Sequence, residues 1–227
     1  MFDTHVIART SADRKNGFGI GSALHELENA GISHAGIIAV CTDMDFAFLP
    51  EFCHQVRHIS LYTRVSAWAG VELLSIPPAL IRIAVEKART YGAQLVLAHG
   101  ESIMESIEKG TDFAAIDAGV DILSCPGVLD STAAALAAER NVCIEISGSP
   151  RHAFANAKNA AVCLASGAGL VCGSGACGAE ELHRPAAWQK IIDCADCSFN
   201  DRNPVLEAIR RSEKTLMQRL QTAEQKN

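Results

Sequence analysis

The sequence predicts a parallel α/β fold of about seven βα units, closed into a barrel or laid open as a doubly wound sheet. Three observations predict it. Short apolar runs recur along the chain. They are nearly continuous rather than alternating, as in parallel strands buried on both faces. Segments with helical spacing or capping residues separate them.

In order, the strand candidates are "THVIA" from Thr4, "AGIIAVC" from Ala35, "SAWAGVELL" from Ser66 and "QLVLAH" from Gln94, then "VDILSC" from Val120, "VCIEIS" from Val142 and "AGLVCG" from Ala168. Between the first two, "GSALHELENAG" places Leu24 and Leu27 on one helical face and stops at Gly31. "PPALIRIAVEKARTYG" opens on Pro78, carries a stripe of Leu80, Ile83 and Val85 or Ala88, and ends at Gly92. "DSTAAALAAERN" starts with Asp130 or Ser131 as cap. "ANAKNAAVCLASGAG" ends in glycine. The last helix takes Asn203 as cap and Pro204 as first residue, with Val205, Leu206, Ile209, Leu216 and Leu220 as a partial stripe. An open dinucleotide-binding sheet wants its glycine-rich turn directly after the first strand. "NGFGIG" comes roughly ten residues late, which argues against that site.

Composition narrows the function classes. The chain has 227 residues, 20 Lys and Arg against 26 Asp and Glu, and a net charge of -6. That balance argues against general binding to nucleic acid or an anionic membrane. No apolar run approaches the roughly 20 residues that span a bilayer. "MFDTHVIART" lacks the build of a signal peptide, so a cytoplasmic protein is expected. The nine cysteines are then read as free thiols, Cys143 and Cys163 among them as small core residues. Cys194 and Cys197 form one C-x-x-C, a weak signal without a second pair. No low-complexity linker divides the chain.

In a parallel barrel, function gathers where strands end and βα loops begin. His5, Asp43, Glu72, His99, Cys125, His152 and Cys177 fall at or after successive strand ends. All are types that bind or orient a divalent metal.

The same stretches resemble the PHP (polymerase and histidinol phosphatase) family, especially its small stand-alone members. They are "DTHV" at Asp3, "GIIAVCTD" at Gly36, "GVELLSIPP" at Gly70, "LVLAHGES" at Leu95, "GTDFAAIDAGVDILSCPG" at Gly110, "AAERNVCIEISGSPRHAFAN" at Ala137 and "GAGLVCGSGACGAEEL" at Gly167. The likeness runs over about residues 1 to 185. It implies a distorted (βα)7 TIM-like barrel, here one domain over residues 1–200. Residues 201–227 would form a helix on the barrel or at a subunit interface. It also implies bound Zn, Mn or Fe and hydrolysis of phosphate esters.

The family's ligand set is only partly kept. His-x-His survives as His5, with Ile7 in the second place; Asp-His is Asp43 followed by Met44. Glu72 and His99 match. The histidine of "HPG" is Cys125, and Asp-x-His reads Gly175, Ala176, Cys177. Thiolate is a good zinc ligand. The resemblance therefore implies a metal set of His5, Glu72, His99, Cys125 and Cys177, with His5, Asp43, Glu72 and His99 as catalytic residues. Arg9, Arg14 and Lys15 after the first strand, with Arg151 and His152, would bind the substrate anion.

Zinc suits such a mixed set best; Mn, Fe or no metal stay open. The expected function is a metal-dependent hydrolase of a phosphate ester, its partner a small molecule. The lost ligands support an alternative, a catalytically inactive barrel that binds a protein partner. An RNA-associated role, as for the ribonuclease P protein with this kind of barrel, runs against the acidic balance. A homo-oligomer stays open.

Overall fold

The computed structural model describes residues 1–10, 18–196 and 203–224. Seven strands alternate with helices: β1 (Phe2–Ile7), α1 (Ile20–Ala30), β2 (His34–Cys41), α2 (Leu49–Ser60), β3 (Ser66–Leu73), α3 (Pro78–Thr90) and β4 (Leu95–His99). Then come α4 (Thr111–Ala118), β5 (Ile122–Ser124), α5 (Ser131–Arg140), β6 (Cys143–Ser147), α6 (Asn156–Ser166), β7 (Gly169–Gly173), α7 (Pro185–Ala195) and α8 (Pro204–Glu224). The strands are all parallel and pair in chain order from β1 to β7.

Beyond β7 the sheet returns to β1. Ile7 N–H donates to the Ala176 carbonyl and Gly175 N–H to the His5 carbonyl, each at 2.8 Å. Below these, side chains bridge the seam: Thr4 Oγ1 donates to the Cys172 carbonyl, and Ser174 N–H donates to Asp3 Oδ1. The result is the nearly closed (βα)7 barrel that the family likeness implies. Among the described residues no helix is long and apolar enough to cross a membrane.

Two apolar layers hold the barrel. The outer one packs helices on strands and includes Leu24, Ile37, Val71, Ile116 and Trp188. The inner one fills the lumen with Phe2, Ile38, Trp68, Leu95, Leu97, Ile122 and Val171, closed by Leu216 and Leu220 of α8. Space in the lumen is tight. A methyl on Gly70 would lie 2.7 Å from both the Leu95 carbonyl oxygen and Ile38 Cδ1. Gly70→Ala is therefore expected to cost about 1–3 kcal/mol, read from the midpoint of urea unfolding.

Capping follows the sequence closely. Asp130, rather than Ser131, caps α5 by accepting from Ala133 N–H at 2.8 Å. Asn203 caps α8 by accepting from Leu206 N–H at 2.8 Å. Gly31 and Gly167 end α1 and α6 with positive φ. The stripe of α3 needs correction. Ile81, Ala84, Val85 and Ala88 face the core, while Leu80 and Ile83 are exposed. The buried set has the i, i+3, i+4, i+7 spacing of one helix face, and its alanines made it inconspicuous beside larger neighbours.

Candidate functional site

A bulge aims the first site residue. From Asp3 to Val6 strand β1 advances three residues while β2 advances two, from Ala35 to Ile37. Strict alternation would put Phe2, Thr4 and Val6 on one face. The extra residue lets Phe2 pack in the lumen while Val6 joins the outer layer. His5 thereby turns toward Glu72 and Glu145, re-aimed as bulges do beside functional sites.

The other side chains arrive from the C-terminal ends of strands. Glu72 is the penultimate residue of β3, His99 and Ser124 end β4 and β5, and Cys125 follows with φ +46°. Glu145 comes from β6, and His152 from the loop behind it. All seven, His5 included, are buried.

Glu72 and Glu145 organise the cluster. His5 Nδ1 lies 2.9 Å from Glu145 Oε2, and His5 Nε2 lies 3.4 Å from Glu72 Oε2. His99 Nδ1 is 2.9 Å from Glu72 Oε1, which also accepts from the Ser124 hydroxyl at 2.6 Å. The other oxygen of Glu145 accepts from Cys125 N–H at 3.3 Å and from its thiol at 3.5 Å. Gly173 makes room for this carboxylate: a methyl there would fall 2.3 Å from Glu145 Oε2.

Charge and burial compete here. Burial works against the His5 imidazolium, yet Glu72 and then Glu145 outweigh it and hold its pKa well above the usual value. Burial likewise opposes the Glu72 carboxylate, but His5 and His99 hold it well below the usual range. His99 is raised despite burial, through Glu72. Burial pushes the Cys125 thiol up and lowers His152.

Among the described residues, two groups of three could each hold a metal ion, His99 with Cys125 and His152, and His5 with Cys125 and Glu145. Within each group the ligand atoms lie within 4.8 Å of one another, and Cys125 belongs to both. His5 Nε2, His99 Nε2 and His152 Nδ1 are buried without a hydrogen-bond partner. Buried polar atoms are ordinarily paired. Orphaned nitrogens around a shared thiol, with carboxylates between them, fit a bound divalent cation.

Above the cluster Glu105, on the loop after β4, faces three nitrogens. Its carboxylate is 3.5 Å from His99 Nε2, His152 Nε2 and the Arg151 guanidinium. These contacts exceed ordinary hydrogen-bond length. An anion is held there by position and charge.

Of the residues expected from the sequence, the structure gathers His5, Glu72, His99, Cys125, Arg151 and His152. Asp43 is exposed and turned to its own loop, accepting from Asp45 N–H at 3.3 Å. Cys177 is also exposed and belongs to neither group of three. Arg9 is exposed beyond β1. Arg14, Lys15 and Cys197 lie outside the described residues. Glu145, Ser124 and Glu105 escaped the sequence reading. Glu145 carried a signal, a lone acid between isoleucines in "CIEIS", the pattern that marked Glu72 in "GVEL".

No family model matches the chain. An uncharacterized protein of Methanocaldococcus jannaschii is 39% identical over 88 residues, which is 38% of this chain and 40% of that protein. Among solved structures, a chain of archaeal ribonuclease P with mature tRNA superposes with a TM-score of 0.68 at 15% identity, over 95% of this chain and 89% of that one. The Lactococcus lactis histidinol phosphate phosphatase, solved with zinc, L-histidinol and phosphate, gives 0.60 at 12% identity, over 86% and 93%. Aspergillus niger ochratoxinase gives 0.54 at 11%, over 86% and 66%. These likenesses show the fold.

Proposed function

We propose that the barrel mouth holds one or two divalent metal ions, zinc foremost, and hydrolyses a phosphate ester. The observation that carries this reading is the sharing of Cys125 by two buried ligand groups whose three histidines each keep one nitrogen without a hydrogen-bond partner. His99, Cys125 and His152 would hold one ion, and His5, Cys125 and Glu145 a second, with Glu72 between His5 and His99. When bound, such an ion supplies Lewis-acid polarisation of phosphoryl oxygens and acidifies water.

The chain's own groups do the rest. Ser124 and His99 orient Glu72 through hydrogen bonds at 2.6 and 2.9 Å. Glu145 orients His5 at 2.9 Å. Arg151 and His152 bind the substrate anion, taking over the contacts that Glu105 makes in this structure. The likeness in fold to a phosphatase solved with zinc and phosphate supports the substrate class.

Calorimetry on chelator-treated protein tests the metal. Between one and two equivalents of zinc are expected to bind, and Cys125→Ala is expected to weaken binding by about tenfold or more, since it removes a ligand common to both groups. Absence of zinc and manganese binding would defeat the reading, as would full affinity in Cys125→Ala. Release of phosphate from p-nitrophenyl phosphate, dependent on added metal, tests the chemistry.

One observation favours the alternative of an inactive binding barrel. Protonated His5, set between Glu72 and Glu145, with His99 on the far side of Glu72, would balance the two buried carboxylates without any metal. A protein that binds no metal and co-purifies with a defined protein partner would favour that alternative.

A further inference from the structure

We propose that a groove at the opposite end of the barrel binds a phosphate monoester of a hydroxyl-bearing small molecule. The groove has a volume of about 620 Å³ and lies between α8, the C-terminal end of α5 and the first residues of β6 and β7. It touches Cys143 and Gly169, which open their strands. The residues of the mouth close theirs, so the two sites are separated by the lumen core. Its size falls within the range of small-molecule sites.

Charge indicates the ligand. Arg140, Arg211 and Arg219 line the groove, and among the described residues no Asp or Glu does, in a chain of net charge -6. Two of these guanidiniums are held in place from behind. Arg140 pairs with Asp117 at 2.9 Å, and Arg219 pairs with the buried Asp121. Asp117 is shared with Arg82 and Asp121 with Arg89, so neither of these acids neutralises its groove arginine alone; the exposed Glu139 lies 3.8 Å from Arg140 outside the lining. Among the described residues the Arg211 side chain has no hydrogen bond or ion pair. Pinned guanidiniums beside a free one suit a doubly charged phosphate, which accepts several charge-assisted hydrogen bonds.

Two helix ends meet the lining. α5 ends at Asn141 and α6 at Gly167, both at the groove. Helix C-termini present carbonyl oxygens with partial negative charge. They repel a bare anion and favour hydroxyl groups. A phosphate joined to a polyol satisfies both halves of the groove, and inorganic phosphate only one.

The test is isothermal titration calorimetry of the whole chain with glucose 6-phosphate and with adenosine monophosphate, using glucose and inorganic phosphate as controls. At least one ester is expected to bind more tightly than inorganic phosphate, with glucose silent. Arg211→Gln, at an exposed position, is expected to weaken binding about tenfold or more, the loss of one charge-assisted contact. His99→Ala, at the mouth, is expected to leave it unchanged. Absence of binding at millimolar ester overturns the proposal, as does binding indifferent to Arg211→Gln. Loss of binding in a His99→Ala protein that still unfolds cooperatively in urea overturns it too and assigns the phosphate to the mouth.

Discussion

Glu145→Ala is expected to destabilise the protein by about 3–5 kcal/mol and to abolish metal binding in the group formed with His5 and Cys125. Glu145 is fully buried, and its two oxygens serve His5 Nδ1 and the Cys125 N–H and thiol. Alanine leaves His5 with Glu72 alone, at 3.4 Å, and strands the Cys125 amide. Removing one member of a buried ion pair is costly because the other charge stays desolvated. Glu145→Gln keeps the volume that Gly173 accommodates and removes only the charge. It is expected to lose less stability while still losing that metal group. Urea unfolding and zinc calorimetry on both variants check this. Equal stability of wild type and Glu145→Ala would show that His5 does not depend on this carboxylate.

The prediction rests on an arrangement in which five strands each contribute one polar group at the same height. Below it the lumen is closed by Leu97 and Ile122, and further down by Phe2, Trp68 and the two leucines of α8. That apolar floor has two consequences. It excludes water from beneath the cluster, which strengthens each electrostatic contact. It also fixes the strands against each other, so the cluster geometry is set by the barrel rather than by loops. Glu105, Arg151 and His152 are the loop contribution, and they lie over His99 at the top of the cluster.

Much of this was legible in the sequence. Near-continuous apolar runs marked the parallel strands, and Glu72 and His99 stood out because each ends such a run. Glu145 has the same signature one residue further from its strand end, and that offset hid it. His5 is a ligand type in the first apolar run, but its inward aim depends on a bulge that no local pattern announces. Asp43 shows the opposite limit. A strand order says which end of the barrel a residue occupies. It does not say whether a loop side chain turns inward or, as here, accepts from its own backbone two residues on. Glu105 follows the strand by six residues, and only the folded loop brings it over His99.

Glu213→Gln is expected to stabilise the protein by about 3 kcal/mol above pH 7 and to have no effect near pH 4. Glu213 lies on α8, is buried, and has one carboxylate oxygen without a partner. Burial, the largest cause, raises its pKa from 4.5 to about 7. Below pH 4.5 the group is protonated whether folded or unfolded, so it contributes no pH-dependent difference. As the pH climbs, the unfolded chain ionises first, and the folded state falls behind by about 1.4 kcal/mol for each pH unit. The penalty is complete above pH 7, where the gap from 4.5 to about 7 amounts to about 3 kcal/mol. Glutamine is nearly isosteric with the protonated acid and cannot ionise, so it removes that penalty alone. Melting temperatures at pH 8 should rise by roughly 6–12 °C for a chain of this length, and converge with wild type toward pH 4. A gain of equal size at both pH values would mean that packing, and not the buried charge, separates the two side chains.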